Sequence, residues 1–240
     1  CFAFNAPQYD VVNCLTGESV NEKRNQLVEA ARIARGKIQA LDLLNPSDYA
    51  AVIIPGGFGS RGIEGKIAVI EYCRENKIPY FGLCYGMQLA VIEYARHVVG
   101  LSGAHTTEVD QKALYPVVDI MPEQKENLRK KNYGATMRLG HYEAKILPKT
   151  LAAKAYGLGS ILERHRHRYE VNPEYVEQLK QAGMVFSATS PDGILMEIAE
   201  LPQSVHPFFL ATQFHPEFQS SLLHPHPLFV AFLEACKNNK

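Results

Sequence analysis

The sequence predicts an α/β protein built on an open, doubly wound and mostly parallel sheet. Its first hundred residues alternate short apolar runs with helical patterns, as in folds where crossover helices connect parallel strands. The runs at 50–54 and 80–83 are continuously apolar, which is typical of strands buried on both faces. Hydrophobic residues make up 46% of the 240 residues, so we expect one packed domain over residues 1–240.

The elements are expected in a strand–helix order that becomes richer in strands in the second half. Asn21 is the predicted N-cap of the first helix, and Gly36 is predicted to end it. In the first half, strands are expected at 1–4, 50–54 and 80–83, and helices at 21–35, 66–76 and 86–96. In the second half, strands are expected at 115–120, 137–147, 164–171, 184–189, 194–199 and 208–214, and helices at 173–182 and 228–237.

Cys84 stands between the strand at 80–83 and the helix that follows, with Gly82 and Gly86 on either side. This spacing is typical of a nucleophile elbow, here with Cys in place of Ser. Small neighbours are required because larger side chains would collide with the adjoining strand and helix. The helix N-terminus is expected to stabilise the thiolate. The alternative is a buried structural cysteine.

The segment Phe214-His215-Pro216-Glu217-Phe218 follows an apolar strand and offers both a base and a group to orient it. Active sites of open α/β sheets gather at strand ends, so His215 and Glu217 are the predicted partners of Cys84. The alternative is a structural histidine. The oxyanion donors are predicted to be the backbone N–H of Tyr85 and Gly57, although the glycines at 56–59 can also simply form a tight turn.

Composition argues against several classes of partner. Lys plus Arg and Asp plus Glu number 25 each, so no global charge favours nucleic acid or an anionic membrane. No apolar run approaches the ~20 residues of a membrane span. Five cysteines without a C-x-x-C motif suit a reducing compartment, so we expect a cytoplasmic protein. We assign no metal to the two H-x-H pairs, at 165–167 and 224–226, because further ligands at supporting spacing are lacking.

Residues 55–240, roughly three quarters of the chain, resemble the class I glutamine amidotransferase domain of CTP synthase. The cysteine elbow and the H-P-E motif are shared by class I amidotransferases, and the R-H-R-H-R-Y-E-V-N run is specific to CTP synthase. The matching stretches are P-G-G-F-G-S-R-G-I-E-G-K at 55–66, G-L-C-Y-G-M-Q-L-A-V-I-E at 82–93, M-R-L-G at 137–140, E-R-H-R-H-R-Y-E-V-N at 163–172 and Q-F-H-P-E-F at 213–218.

The resemblance implies a flavodoxin-like amidotransferase fold and hydrolysis of glutamine through a γ-glutamyl thioester. It implies a catalytic triad of Cys84, His215 and Glu217, with Gly57 and Tyr85 at the oxyanion. Three further residues are implied to bind substrate: Gln88, Glu108 and Arg168. A zwitterionic amino acid needs one acid and one base, and arginine can bind a carboxylate through two hydrogen bonds. The alternatives are a solvated basic face for the arginines at 164, 166 and 168, and no special role for Glu108.

Residues 1–54 resemble a different branch, the amidotransferase-like isoprenoid-biosynthesis proteins related to the ThiJ/PfpI group. The matching stretches are C-F-A-F-N-A-P at 1–7, L-T-G-E at 15–18 and R-N-Q-L-V-E-A-A-R-I-A-R-G-K-I at 24–38. The chain therefore reads as a hybrid joined near 55–59. The resemblance implies that a first strand–helix unit of the fold is lacking, and we interpret the chain as a fragment or a processed product.

The resemblance also defines the expected partners. Glutamine is the substrate, and the ammonia is normally destined for a synthetase domain or subunit that aminates UTP to CTP. No cofactor is expected in this domain, since ATP and Mg²⁺ belong to the synthetase part. GTP is an expected effector, with Arg61 and Glu64 in the matching loop. A homo-oligomer is also an option.

Two rival functions stay open on the sequence alone. One is another cysteine-elbow enzyme, such as a γ-glutamyl hydrolase or a glyoxalase-like protein, which the N-terminal quarter favours. The other is a non-catalytic regulatory or interaction protein of the same fold. The intact set of Cys84, His215 and Glu217 argues against the second rival.

Overall fold

Two compact units make up the computed structural model of this chain, Cys1–Asp48 and Tyr49–Lys240. The structure describes residues 1–8, 11, 13, 15–16, 18–57, 63–120 and 137–238. None of the helices in these ranges is long and apolar enough to cross a membrane.

The first unit pairs two short strands in parallel and carries one helix. Strand β1 (Phe2–Ala3) lies beside β2 (Gln39–Ala40). Helix α1 (Gln26–Ile33) is capped by Asn25, whose side chain accepts a hydrogen bond from the backbone N–H of Val28.

The prediction of Asn21 as this cap was wrong. The side-chain amide of Asn25 also bonds Asn5 at 2.9 Å, and Gln26 donates its N–H to the carbonyl of Ala6, so contacts with the segment just after β1 set the start of the helix. Gly36 lies just beyond the helix with φ of +77°, and its N–H bonds the carbonyl of Ala31, as expected of a terminating glycine.

The second unit alternates strands and helices around a seven-stranded sheet. Its helices are α2 (Ile63–Glu75), α3 (Tyr85–His97), α4 (Leu151–Tyr156), α5 (Pro173–Gln181) and α6 (Pro227–Asn238). Its strands are β3 (Val52–Ile54), β4 (Tyr80–Leu83), β5 (Ala104–Thr106), β6 (Tyr115–Ile120), β7 (Arg138–Ile146), β8 (Ser160–His167), β9 (Tyr169–Val171), β10 (Val185–Thr189), β11 (Met196–Glu200) and β12 (Phe209–Thr212). The seven-stranded sheet has the order β3-β4-β12-β11-β10-β7-β8.

Three parallel strands, β3, β4 and β12, form one side of this sheet, and the strands from β11 to β8 continue it in antiparallel pairs. Ile54 lies opposite Gly82, and Thr212 lies opposite Leu83. The carboxyl ends of the three parallel strands therefore meet at one edge of the sheet.

Helices cover both faces of the parallel strands. Along β4, Tyr80 packs into the apolar cluster that includes residues of α2, α3 and α5. The next residue, Phe81, packs into the opposite cluster with residues of α4 and α6. The continuously apolar strand is thus buried on both sides, and the predicted α/β class with helices on both faces is confirmed. The sheet was predicted to be mostly parallel, but in the described seven-stranded sheet two pairings are parallel and four are antiparallel.

The strand predicted over 164–171 is two strands in different sheets. Strand β8 ends at His167, and β9 begins at Tyr169 and pairs with β6, with Val171 opposite Val118. The second sheet has the order β5-β6-β9. Arg168 stands at the crossing between the sheets. Helix α4 and strand β5 were not predicted, because each is short and its apolar pattern is weak.

Candidate active site

Cys84 occupies a strained turn between β4 and α3. Its φ and ψ angles are 51° and −98°, and it is the N-cap residue of α3. Its backbone N–H bonds the carbonyl of Thr212 at 2.6 Å, which ties the turn to the end of β12. A positive φ in a non-glycine residue is the backbone feature of a nucleophile elbow, so the predicted strand–turn–helix geometry at Cys84 is confirmed.

The two flanking glycines are required by close backbone contacts. A Cβ atom at Gly82 would lie 2.8 Å from the carbonyl carbon of Gly86, and one at Gly86 would collide with the carbonyl oxygen of Ile54. Real Cβ atoms do not approach backbone this closely, so the sequence argument for small residues at both positions holds.

His215 and Glu217 lie just beyond β12. The Nδ1 atom of His215 is 2.6 Å from Oε1 of Glu217, which belongs to a 3₁₀ helix at Pro216–Gln219. Because a carboxylate only accepts, Nδ1 is the donor and Nε2 is left as the basic nitrogen. Nε2 is buried and makes no hydrogen bond to the described residues. The ring of Phe218 stacks on the imidazole, with centroids 4.8 Å apart.

Gly56, directly after β3, is the point on which the cysteine and histidine side chains converge. A Cβ atom at this residue would lie 2.9 Å from Cε1 of His215 and 3.0 Å from Cβ of Cys84. Gly57 follows with φ of +133°, a conformation that favours glycine. The turn after β3 therefore forms one side of the space between the side chains of Cys84 and His215.

A cavity of about 290 Å³ opens at this edge of the sheet. All eight residues that the sequence singled out line it, namely Cys84, His215, Glu217, Gly57, Tyr85, Gln88, Glu108 and Arg168. They come from five separate parts of the chain. The cavity also contains residues that received no role from the sequence, namely Gly56, Met137, Arg166, His167, Tyr169 and Phe218.

The polar residues of the cavity include an acid, a base and an amide. Partial burial raises the pKa of Glu108, and the positive charge of Arg168 opposes that rise. Gln88 is buried in α3, one turn after Cys84, and its Nε2 atom donates to the carbonyl of Tyr169 at 2.9 Å. Its Oε1 atom is buried and has no hydrogen-bond partner among the described residues.

The arginines of the R-H-R-H-R run differ from one another. Arg164 and Arg166 are exposed, as the solvated-face alternative predicts, although Arg166 also borders the cavity. Arg168 is half-buried and lines the cavity together with Glu108.

The Cys84 thiol is more strongly buried than the sequence suggested. Burial raises its pKa to about 12, and the charges of Glu217, Glu108 and Glu170 act in the same direction. The backbone N–H of Tyr85 at the start of α3 lowers the pKa but is the smaller effect. The helix N-terminus therefore acts on the pKa of Cys84 in the predicted direction, but desolvation outweighs it and the pKa is raised overall.

Gln213 is a neighbour of the nucleophile that sequence reasoning missed. Its Nε2 atom lies 3.8 Å from Sγ of Cys84 and its Oε1 atom 3.5 Å from Nε2 of Gln88. The sequence did contain a signal for this position. Gln213 precedes His215 by two residues, and side chains two residues apart in an extended segment lie on the same face.

Three of the four histidines in the two H-x-H pairs make side-chain hydrogen bonds to protein atoms. His165 and His167 bond each other at 2.9 Å, and His226 bonds Glu163 at 2.8 Å. Within the described part of the chain, the residues whose ligand atoms lie within 4.8 Å of one another are Glu71, Glu93 and His97. There the guanidinium of Arg74 binds both oxygens of Glu93.

The loop predicted to respond to GTP contains Arg61 and Glu64. Glu64 forms an ion pair with Arg96 at 2.8 Å, and Arg61 lies outside the described residues.

Comparison with known families decides the assignment. The model of the family "Glutamine amidotransferase class-I" matches residues 21–235. The chain belongs to the class I glutamine amidotransferases. The predicted fold is that of this family, and the match begins within the N-terminal quarter that resembled another branch.

Among curated relatives of this amidotransferase, CTP synthases are prominent. The chain is 54% identical to the CTP synthase of Archaeoglobus fulgidus over 202 residues, which cover 82% of this chain and 37% of that protein. It is 51% identical to the CTP synthase of Thermococcus kodakarensis over 214 residues, 89% of this chain and 38% of that protein. The chain thus spans well under half the length of these relatives.

Among solved structures, the glutaminase domain of Trypanosoma brucei CTPS with bound acivicin superposes with a TM-score of 0.74. It is 35% identical, and the match covers 89% of this chain and 86% of that one. The chain is therefore a glutamine amidotransferase domain homologous to the glutaminase domain of CTP synthase.

Proposed function

We propose that this amidotransferase domain hydrolyses glutamine to glutamate and ammonia through a γ-glutamyl thioester on Cys84. The observation that carries the proposal is the convergence of Cys84 and His215 on Gly56, with Glu217 bound to the far nitrogen of the histidine. A nucleophile, a base and an orienting carboxylate are the parts that acyl transfer needs.

The first half of the reaction breaks the amide bond. His215 Nε2 takes the thiol proton as the sulfur of Cys84 attacks the side-chain carbonyl carbon of glutamine. The backbone N–H groups of Tyr85 and Gly57 are the proposed donors to the tetrahedral oxyanion. As the C–N bond breaks, His215 returns the proton to the leaving nitrogen, which departs as ammonia and leaves a thioester.

The second half restores the enzyme. His215 removes a proton from water, which attacks the thioester carbon. The C–S bond then breaks, glutamate leaves, and the proton returns to the sulfur of Cys84. Glu217 orients His215 and stabilises its positive charge in both halves. Because Cys84 is held as a neutral thiol, proton transfer to His215 accompanies the attack.

Substrate recognition is proposed for the other side of the cavity. Arg168 binds the carboxylate of glutamine, and Glu108 binds its ammonium group, as opposite charges require. The unpartnered Oε1 of Gln88 is a further acceptor for the ammonium group.

The fate of the ammonia is a further part of the proposal. Homology to CTP synthases supports a synthetase domain or subunit as the acceptor, which would use the ammonia to convert UTP to CTP, with GTP as effector. We also propose that one amidotransferase domain extends over both units in sequence, because the family match spans residues 21–235. A cytoplasmic location and a homo-oligomer stay predictions.

Glutamate and ammonia release from glutamine, with and without GTP, tests the proposal. Cys84→Ala is expected to lose turnover completely, whereas Cys236→Ala, a change at a half-buried cysteine of α6, is expected to keep it. A folded wild-type chain without turnover in either condition would contradict a free-standing glutaminase. Equal activity of both variants would contradict the role of Cys84.

A further inference from the structure

A buried ionic cluster lies behind the cavity wall and has no part in the reaction described above. The guanidinium of Arg138 on β7 bonds Glu170 on β9 at 3.4 Å and Glu197 on β11 at 2.9 Å. Two histidines of β8, His165 and His167, lie against these carboxylates. All five side chains belong to residues that are at most 8% exposed.

The cluster contains a continuous line of polar contacts that ends at the cavity. Nε2 of His165 is 3.4 Å from Oε2 of Glu197, and its Nδ1 is 2.9 Å from Nε2 of His167. Nδ1 of His167 is 3.2 Å from the carbonyl oxygen of Tyr169. Tyr169 and His167 both line the cavity. Three contacts therefore connect Glu197 to the cavity wall.

Each of these three contacts needs one hydrogen. The carbonyl of Tyr169 and an ionised Glu197 can only accept, and two neutral imidazoles supply one N–H each. Two hydrogens cannot fill three contacts, so one contact would hold two lone pairs facing each other. In the described structure, three atoms of the cluster are buried without a hydrogen-bond partner, namely Nε2 of His165, Oε2 of Glu197 and Oε2 of Glu170. The first two of these atoms face each other at 3.4 Å. Buried acceptors are rarely left without a donor, so a third hydrogen is required.

We propose that Glu197 is protonated at neutral pH and donates to His165, so that the line Glu197–His165–His167 holds the Tyr169 carbonyl and positions Arg168. In this state His165 donates from Nδ1 to His167, and His167 donates from Nδ1 to the carbonyl. The guanidinium of Arg138 bonds the carboxyl groups of both Glu170 and Glu197, and protonation of Glu197 avoids a second negative charge in the buried cluster.

The charges around the line favour this location of the proton. Burial raises the pKa of Glu197, and Asp192 adds to the rise while Arg138 opposes it. Burial lowers the pKa of His165 to about 2 and that of His167 to about 3, and the charges of Arg138 and His215 act in the same direction. Burial also raises the pKa of Glu170 to about 8, but a proton there would leave the contact between Glu197 and His165 unfilled.

The functional consequence concerns the crossing between β8 and β9. Arg168 is the single residue between His167 and Tyr169. The hydrogen bond from the His167 side chain to the Tyr169 carbonyl spans Arg168 and so fixes the backbone on both sides of it. Gln88 donates to the same carbonyl from α3. Glu197, His165 and His167 are therefore positioning residues for substrate binding. This consequence rests on the proposed function, in which Arg168 binds the carboxylate of glutamine.

Nuclear magnetic resonance of the isotopically labelled full chain tests the proton location without any need for turnover. Both His165 and His167 are expected to be neutral with hydrogen on Nδ1, and the carboxyl carbon of Glu197 is expected at the shift of a protonated acid at pH 7. Hydrogen on Nε2 of either neutral ring, a protonated ring, or an ionised Glu197 would overturn the proposal.

Steady-state kinetics with glutamine test the positioning role. In Glu197→Gln the amide supplies the missing hydrogen without titrating, so KM is expected to stay within about 2-fold of the wild type. His165→Leu interrupts the line, so KM is expected to rise about 10-fold with a smaller change in kcat. The wild-type KM is expected to rise more steeply at alkaline pH than the KM of Glu197→Gln, because both lose the ammonium proton of glutamine but only the wild type also loses the proton at residue 197.

Glu143→Gln, a change at an exposed carboxylate of β7, is the matched control, and urea unfolding of each variant shows whether the fold is kept. An equal KM increase in Glu197→Gln and His165→Leu would overturn the positioning role, as would an unchanged KM in His165→Leu. If the wild type shows no turnover, the proposed function fails while the resonance result still decides the proton location.

Discussion

Gly56 lies against His215 so closely that a Cβ atom at residue 56 would stand 2.9 Å from Cε1 of the imidazole. The same atom would stand 3.0 Å from Cβ of Cys84. The backbone of residue 56 therefore sets how near the nucleophile and its proposed base can come.

Gly56→Ala should reduce kcat by at least about 100-fold, because a displacement of about 1 Å at reacting groups is costly. The added methyl group must push the imidazole away from the sulfur, since the Cys84 side of the contact is a strained elbow. Glutaminase assays give kcat, and circular dichroism reports whether the fold is kept.

Gly65→Ala is the matched control for this change. Gly65 lies inside α2, and a Cβ atom there meets nothing within 4 Å. This variant should keep full activity and gain up to about 1 kcal/mol in free energy of unfolding, because alanine favours the helix. Full activity in Gly56→Ala would show that the imidazole can move without loss.

The Cys84 thiol should react slowly with iodoacetamide at neutral pH in the free enzyme. Burial raises its pKa to about 12, so the thiol is protonated below that pH and the thiolate fraction rises tenfold with each pH unit. The alkylation rate at Cys84, measured by peptide mass spectrometry, should therefore climb steeply between pH 7 and pH 10.

Cys73 is an internal reference for this measurement. It is fully buried, and its pKa is likewise raised to about 12 by burial, but it lies outside the cavity. A rate at Cys84 that is nearly independent of pH above 7 would mean that the thiolate already exists, and that the helix end outweighs burial after all.

Arg168→Lys should raise KM for glutamine by about 10-fold with a smaller change in kcat, because lysine cannot form two parallel hydrogen bonds to a carboxylate. Arg164→Lys, at an exposed arginine on the preceding strand, should leave both constants unchanged. A similar KM in both variants would argue against Arg168 as the carboxylate-binding residue.

Gln219 ties the 3₁₀ helix that carries Glu217 to strand β8. Its side-chain amide donates to the carbonyl of Leu162 at 3.0 Å and to the carboxylate of Glu163. Glu163 in turn accepts from Nε2 of His226 at 2.8 Å and from the hydroxyl of Tyr156 at 2.7 Å. The segment that carries Glu217, the orienting carboxylate of the proposed triad, is thus anchored through Gln219 to the buried carboxylate of Glu163.

Gln219→Ala should lower kcat by about 5-fold and leave KM nearly unchanged. The loss of both hydrogen bonds of the amide loosens Glu217, at a cost of about 1 kcal/mol in the transition state, but leaves the substrate side intact. Gln181→Ala on α5, where the amide bonds only Glu177 at 3.2 Å among the described contacts, is the control. A higher KM with unchanged kcat in Gln219→Ala would instead mean that Gln219 affects substrate binding.

Features set by contiguous residues were predictable from the sequence, whereas features set by contacts between distant residues were not. The elbow around Cys84 was predictable because its strand, its two glycines and its helix are contiguous, and local sterics require them. The split of residues 164–171 into β8 and β9 was not predictable, because it depends on the pairing of Val171 with Val118 from another part of the chain. The cap of α1 was misplaced for the same reason, since Asn25 is held by Asn5.

The sequence alone determined the α/β class and the strand–elbow–helix unit, because these follow from short-range spacing. It also predicted Cys84, His215 and Glu217 as nucleophile, base and orienting acid, because few side chains can serve in these roles. Tertiary structure decided that the ends of β3, β4 and β12 meet at one edge, and that Gly56 separates the two proposed reacting side chains. It also decided that Glu197 faces His165 in the interior. The physical reason is that burial and the resulting protonation of a side chain depend on neighbours supplied by strands far apart in the chain.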